Sequence, residues 1–342
     1  MDPVVTIDAR DAGGPELRGW GRYAACLLDA LRAADPPGLR LDAIAQPGRV
    51  PEILFEQVSL PLHLRRRRAR LVHATNCFLP LIRSCPGVVT IHDLAFEAWP
   101  SDFVPRTRWK YRALARAAAH SAELIICPSE FTRGDLCDRY GIDSAKVRVI
   151  PEAPALALGE GPSPAGPYVV AVGDLRQKKN LRSLVTAFAS LHRRRQLFHR
   201  LVLAGVDSGE GASLRGLAGA APLELTGYLS DGELDALIRG ADVLVHPSLY
   251  EGFGLVVLEA MARGVPVITA RAAALPQTGG EAALYFDPGA DGGAEELEAV
   301  LSALLSDPGE REARGRAGRE WAASFSWATT ARRTIEVYRE LV

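Results

Sequence analysis

Two glutamates, Glu251 and Glu259, flank a glycine-containing loop in "HPSLYEGFGLVVLEAMARGVPVITA", which runs from His246 to Ala270. Gly252 and Gly254 allow a ligand to come close to the backbone there. The run "LVVLEAMAR" reads as a helix closed by Gly264, with Pro266 beyond it, so the loop delivers the chain onto a helix N-terminus. The backbone amides of Phe253, Gly254 and Leu255 then lack intrahelical acceptors and, with the helix dipole, suit a phosphate or sugar oxygens. Carboxylates accept hydrogen bonds from vicinal diols, so Glu251 ahead of the helix and Glu259 in its second turn are expected to hold different parts of one ligand. An acid near a helix start can also serve the dipole alone, which would suffice for Glu251. Glu259 sits in an otherwise apolar helix and lacks that explanation. In "VGDLRQKKNLRSLVTAF" a strand ends at Gly173, and Lys178 and Lys179 precede Asn180 at the start of an amphipathic helix, where two ammonium groups can neutralise a diphosphate.

The elements that must position these residues alternate along the chain. "VVTI", "RLVHAT", "GVVTIHD", "ELIICPS" and "VRVIPE" read as buried parallel strands, separated by helices such as "RYAACLLDALRAA" and "RTRWKYRALARAAAHSA". The alternation pauses at "PEAPALALGEGPSPAGP", Pro151 to Pro167, and restarts with "YVVAVGD", "RLVLAG", "LELTGYL", "DVLVHPS" and "VPVITA". The expected fold class is α/β: two Rossmann-like doubly wound parallel-sheet domains facing a central cleft, with the site at the carboxyl ends of the strands. The expected boundaries are residues 1–155, a linker at 156–167, 168–325, and a terminal helix at 326–342 for which a return to the first domain is one option. A length of 342 residues suits two cores, and the net charge of -1, with 24% charged and 48% hydrophobic residues, gives no global attraction to nucleic acid. The five cysteines are scattered and include no C-x-x-C pair, so the reading is a reducing cytoplasm without disulfides or zinc. Neither a signal peptide nor a membrane span is expected.

These motifs resemble the retaining glycosyltransferases of family 4, with the GT-B fold. The resemblance rests on E-x7-E in "YEGFGLVVLEAMARGVPV", on "LSDGELDALIRGADVLVHPS" and "VGDLRQKKNL", and in the first half on "IDAR", "GWGRYAACLL", "VTIHDLAF" and "CPSEFTRGDL", especially as in mannosyltransferase-like members. It implies catalytic roles for His92, Lys179 and Glu251: His92 facing the donor sugar, Lys179 the diphosphate and Glu251 the transferred sugar. It implies further donor contacts from a glycine loop at Gly19 to Gly21, from Gly173, Lys178 and Asn180, from Gly227, Tyr228 and Leu229 at the nucleobase, from Ser248, Gly252, Phe253, Gly254 and Leu255, and from Glu259 at the ribose. Acceptor contacts fall on Trp20, Arg22, Tyr23 and Asp93. Without the resemblance, His92 reads as a satisfied histidine at a strand end. Two positions depart from the family pattern: Asp174 stands where many members carry Arg, and Gln277 where an acid follows Leu-Pro.

The implied reaction moves a hexose of mannose or glucose type from a UDP- or GDP-sugar to a hydroxyl of a glycan, lipid-linked or small-molecule acceptor, with retention and with neither metal nor cofactor. The four arginines Arg65, Arg66, Arg67 and Arg68 in "LHLRRRRARL" read either as a contact with anionic membrane at its inner face or as a solvated surface. Rival readings are a nucleotide-sugar epimerase and a non-catalytic sugar-nucleotide binding module of the same fold.

Overall fold

The computed structural model describes residues 2–14, 17, 19–45, 51–159, 161–195, 197–289 and 291–342. The chain forms two compact units, Met1–Ala155 with Phe325–Val342, and Leu156–Ser324.

In the first unit, β1 (Val4–Asp8), β2 (Arg40–Ile44), β3 (Leu71–Ala74), β4 (Gly87–Thr90), β5 (Leu124–Cys127) and β6 (Val147–Val149) lie parallel in the order 2-1-3-4-5-6. Every residue of β1, β3, β4 and β5 is buried, because helices cover both faces, and this is why these strands appear as apolar runs. Successive side chains divide between two cores. Val72, Ala74, Val89 and Ile125 pack with Leu60, Leu64, Ala115 and Ala118 on one face. Val5, Ile7, Leu71, Val88 and Ile126 pack with Leu27, Leu31, Ile335 and Tyr338 on the other.

Two features of this unit differ from expectation. "GWG" is not a loop: Gly19 opens the helix Gly19–Ala34, and Gly21 lies inside it. A Cβ on Gly21 would stand 2.6 Å from the Asp11 carbonyl oxygen, so the glycine lets the chain after β1 lie against the helix. Strand β2 carries no apolar run, because it is a partly exposed edge strand. The terminal helix, Trp327–Arg339, belongs to this unit. Ser326 caps it through the Thr329 amide. Trp327 donates to the Pro154 carbonyl (2.9 Å), Thr330 donates to that of Pro151 (2.8 Å), and the buried Tyr338 hydroxyl meets His73 Nδ1 at 2.7 Å.

The second unit repeats the plan with β7 (Tyr168–Val172), β8 (Arg200–Ala204), β9 (Leu223–Gly227), β10 (Val243–His246), β11 (Val267–Ala270) and β12 (Leu284–Phe286), all parallel in the order 12-11-10-7-8-9. Strand β12 is only three residues long and lies at the sheet edge, too short for a sequence pattern. The first and fourth strands of the unit, β7 and β10, are neighbours. Strand order reverses between them, and open parallel sheets bind ligands beyond the carboxyl ends of such a pair. In the first unit the same reversal lies between β1 and β3.

Candidate active site

The chain leaving β7 and the chain leaving β10 carry the two motifs of the second unit, so strand pairing brings them together. Gly173 follows β7 with φ +138°, and a Cβ there would meet Lys179 Cε at 3.1 Å and Nζ at 3.2 Å. The glycine therefore makes room for the lysine stem. A short 3-10 turn, Gln177–Lys179, presents both lysines before Asn180, at φ 50°, leads into the helix Leu181–Arg195. Asn180 is engaged on both ends of its amide, donating to the Gly292 carbonyl (3.0 Å) and accepting from Ser183 (2.7 Å).

From β10, Glu251 enters this group of cations. Its Oε1 accepts from Lys179 Nζ at 2.5 Å, and its Oε2 lies 3.8 Å from Lys178 Nζ. His246 Nε2 is 3.5 Å from Oε1 and, like Ser248 Oγ, is buried without a hydrogen bond. Burial alone would raise the Glu251 carboxyl, but the charges of Lys178 and Lys179 outweigh it and hold the group well below the usual carboxylate range. Burial pushes the His246 imidazole down, and the two lysines add to this against the opposing pull of Glu251.

Gly254, at φ +99°, caps the helix Leu255–Ala262 with no side-chain hydrogen bond. A Cβ at Gly254 would lie 2.8 Å from Leu275 Cδ2, so the turn has room only for glycine. The helix that starts four residues after Glu251 therefore has no capping side chain at its N-terminus. Gly227, at φ +73°, ends β9, followed by Tyr228, which is exposed, and by Leu229, which is half-buried. Asp174 turns to the Val206 amide (3.3 Å) and lies 3.6 Å from Arg176. Gln277 falls in the short helix Leu275–Gly279.

Glu259 has a different environment. It is buried; Oε1 accepts from the Leu156 amide at 2.8 Å, and Oε2 from Arg263 at 2.9 Å. Arg263 uses its remaining donors on the Glu259 carbonyl, on Asp235 Oδ1 (2.8 Å) and on the carbonyls of Leu156 (3.0 Å) and Ala157 (3.1 Å). Asp235 Oδ2 in turn accepts from the Gly159 amide at 3.1 Å. The acid in the apolar helix thus has a local ionic partner one turn on, which the E-x7-E spacing does not reveal.

In the first unit, the sequence candidates gather beyond β1, β3 and β4. His92 follows β4, with Nδ1 2.9 Å from Glu152 and Nε2 3.0 Å from the Thr75 carbonyl. The Thr75 carbonyl can only accept, so Nε2 donates, and Nδ1 donates as well in the protonated ring that a carboxylate partner favours. Burial opposes that charge, but the hydrogen bond and charge of Glu152 prevail and raise the His92 pKa. Trp20 stacks near the ring (centroids 6.2 Å, 21°), and Tyr23 meets it edge-on at 4.5 Å. Tyr23 is buried with its hydroxyl towards Thr90, Asp93 accepts from the Ala95 amide, and Arg22 donates to the Leu17 carbonyl.

Sequence reading missed Glu152 and Glu56 here, and His246 and Arg263 in the second unit. Beyond β1, Arg10 donates to both oxygens of Asp8 (2.7 and 2.9 Å) and to Glu56 (3.3 Å). The second Glu56 oxygen is buried without a partner, and burial, reinforced by Glu52, pushes this carboxyl up to about 7. Among the described residues no cluster of three or more His, Cys, Asp or Glu side chains could hold a metal ion, and no helix is long and apolar enough to cross a membrane.

Residues 160–321 match the family model for glycosyl transferases group 1, and residues 17–153 match that for glycosyltransferase family 4. The chain is 29% identical over 301 residues to O-antigen chain mannosyltransferase B of Escherichia coli, covering 81% of this chain and 76% of that protein. It is 30% identical over 274 residues to the MMP alpha-(1->4)-mannosyltransferase of Mycolicibacterium hassiacum, covering 75% and 66%. Among solved structures, sucrose-phosphate synthase from Thermosynechococcus elongatus matches with a TM-score of 0.76 and 24% identity over 100% of this chain and 99% of that one. HepE of Anabaena, in complex with UDP-glucose, matches at 0.73 and 19%, over 99% and 100%. The paired six-stranded parallel sheets are those of the GT-B fold. With a family model matched in each half, this chain belongs to the family 4, group 1 glycosyltransferases and is a hexose-transferring enzyme of that type.

Proposed function

We propose that the protein transfers a hexose from a nucleotide diphosphate sugar to an acceptor hydroxyl with retention at the anomeric carbon, and that it does so without metal or cofactor. One observation carries the reading: Glu251 is held as a carboxylate between Lys178 and Lys179, beside the uncapped N-terminus of the 255–262 helix. As the sugar–phosphate bond breaks, negative charge grows on the diphosphate and positive charge on the sugar. Lysines and helix amides serve the first, and a carboxylate beside the sugar serves the second. In this scheme Lys179 exchanges Glu251 for the diphosphate when donor binds, and the freed carboxylate turns to the hexose. Retention follows if the acceptor attacks the face from which the diphosphate leaves, a departing phosphate oxygen taking the hydroxyl proton.

A mannose- or glucose-type donor is supported by the mannosyltransferases among the relatives and by the UDP-glucose complex of HepE. Glu259 takes the ribose on the lone pairs that Leu156 and Arg263 leave open, Tyr228 lies at the base, and His92 with Asp93, Trp20 and Arg22 serves the sugar and acceptor from the first unit; Tyr23, expected at the acceptor, is buried and instead packs edge-on against His92. The cytoplasm, which supplies nucleotide sugars, also suits five free cysteines.

The test pairs a donor panel with one variant. Thermal stabilisation by UDP-, GDP-, ADP- and TDP-hexoses, with and without magnesium, identifies the donor. Glu251→Gln then lowers transfer on the order of 100-fold while leaving nucleotide affinity within a few-fold. Unchanged transfer in that variant would sink the assignment. Conversion of isolated donor without acceptor would mark an epimerase, and binding without turnover a binding module.

A further inference from the structure

The chain through 52–67 runs as one continuous helix, with a π-helical turn at Phe55–Ser59 between α-helical segments Glu52–Leu54 and Leu60–Arg67. Its inner side is fixed by Leu60 and Leu64, both fully buried in the core of the first unit. Its outer side carries Ile53, Leu54, Val58 and Leu62, each between 45% and 50% exposed. Gln57 fastens a neighbouring loop to this helix, donating to the Leu79 carbonyl (3.4 Å) and accepting from the Leu81 amide (3.0 Å). The loop thereby adds Leu81 and Ile82, exposed by 42% and 76%, to the apolar outer side.

The helix ends in Arg65, Arg66, Arg67 and the left-handed cap Arg68, all exposed. Arg67 lies 3.5 Å from Asp42, which also meets His63 at 2.7 Å. Arg65, Arg66 and Arg68 pair with no acid among the described residues. Arginines at a helix C-terminus complement the dipole, but this leaves the adjoining apolar stripe unexplained. Single exposed apolar residues are ordinary; six gathered beside a cluster of unpaired arginines form an amphipathic surface with a definite charge preference.

We propose that this surface docks on an anionic lipid bilayer, its apolar side chains entering the interface and Arg65, Arg66 and Arg68 meeting lipid phosphates. Neither signal suffices alone: basic residues give an attraction that salt screens, and a short apolar stripe gives weak insertion, whereas the two together give stable peripheral binding. The chain's near-zero net charge leaves this local cluster to supply the attraction. The inference is independent of the donor assignment.

Co-sedimentation of the full chain with phosphatidylcholine vesicles, with and without phosphatidylglycerol, tests it. The protein is expected to pellet with the anionic vesicles only. The triple variant Arg65→Ala, Arg66→Ala, Arg68→Ala lowers that partition about tenfold or more. The triple variant Leu54→Ser, Val58→Ser, Leu62→Ser binds at low salt and is released by added salt more readily than the wild type. All these side chains are exposed, and unchanged thermal unfolding verifies that the variants are folded. A wild-type chain that stays in the supernatant with both vesicles, or arginine variants that bind as before, would overturn docking. Serine variants as salt-resistant as the wild type would overturn insertion. A smaller species on gel filtration of the serine variant would instead identify a second copy as the occupant and overturn the bilayer.

Discussion

At the scale of single residues, two of the charged groups proposed for catalysis, Glu251 and His92, are set by opposite arrangements. Glu251 is a buried acid among cations, and His92 is a buried imidazole tied to an acid that favours its protonated form. Glu251 has its folded pKa depressed, so the stability it adds is present above the ordinary carboxylate pKa and is lost only as pH falls through the depressed value. Replacing Lys179 by Ala removes its nearest cation, and the acid limb of the kcat/KM profile then moves up in pH relative to wild type; an unmoved limb would separate Lys179 from Glu251 ionisation. His92 has the reverse sign. Its raised pKa gives stability that is complete below the ordinary imidazole pKa and lost as pH rises through the folded value. Denaturant unfolding across that window is expected to show this loss in wild type and to flatten in Glu152→Gln. These environments were only partly legible in sequence. The E-x7-E spacing and the lysine pair sit within short stretches, whereas Glu152 lies 60 residues from His92 and meets it only because β4 and β6 end on the same side of one sheet.

At the scale of elements, the 255–262 helix joins two environments: its N-terminus follows the Glu251 loop, and its far end is held by Arg263. Arg263 satisfies Glu259 and Asp235 and binds the carbonyls of Leu156 and Ala157, so the first residues of the second unit are fastened to the helix that carries Glu259. Arg263→Ala leaves the buried Glu259 without its cation and Asp235 with Arg239 alone, and is expected to cost about 3–5 kcal/mol in unfolding free energy. Arg263→Lys keeps the charge but cannot make the same array of hydrogen bonds, and should fall between. If the Ala variant unfolds at the wild-type denaturant midpoint, the network carries no stability. The helix itself was readable from its glycine loop and closing Gly264, as were ten of the strands; the Arg263 array was not, because its acceptors come from residues 156 and 157, about a hundred positions earlier. Strand β2 escaped notice because its sequence, RLDAI, mixes charged and apolar residues and none of it is fully buried, and β12 because three residues are too few for a pattern; the opposite edges, β6 and β9, keep enough apolar residues to be read.

At the scale of the whole molecule, the duplication of a parallel sheet was legible because strand and helix patterns repeat on either side of "PEAPALALGEGPSPAGP". The destination of the last helix was not, since amphipathic periodicity shows that a face is buried but not against what. The structure places Ala331, Ile335 and Tyr338 in the core of the first unit, with Val5 and Leu27. Removing residues 325–342 should therefore lower the melting temperature of the first unit and speed its proteolysis, while peptides of 156–324 stay protected; equal loss in both units would refute that assignment. The discontinuity also bears on synthesis at the ribosome. Residues 156–324 form one uninterrupted segment and can close their core as soon as they emerge, whereas the earlier 155 residues must wait for the returning tail. Vectorial translation thus inverts the order of the domains: the second segment made is the first whose residues are all available, and the N-terminal part lacks the Ala331, Ile335 and Tyr338 side of its core until the tail emerges.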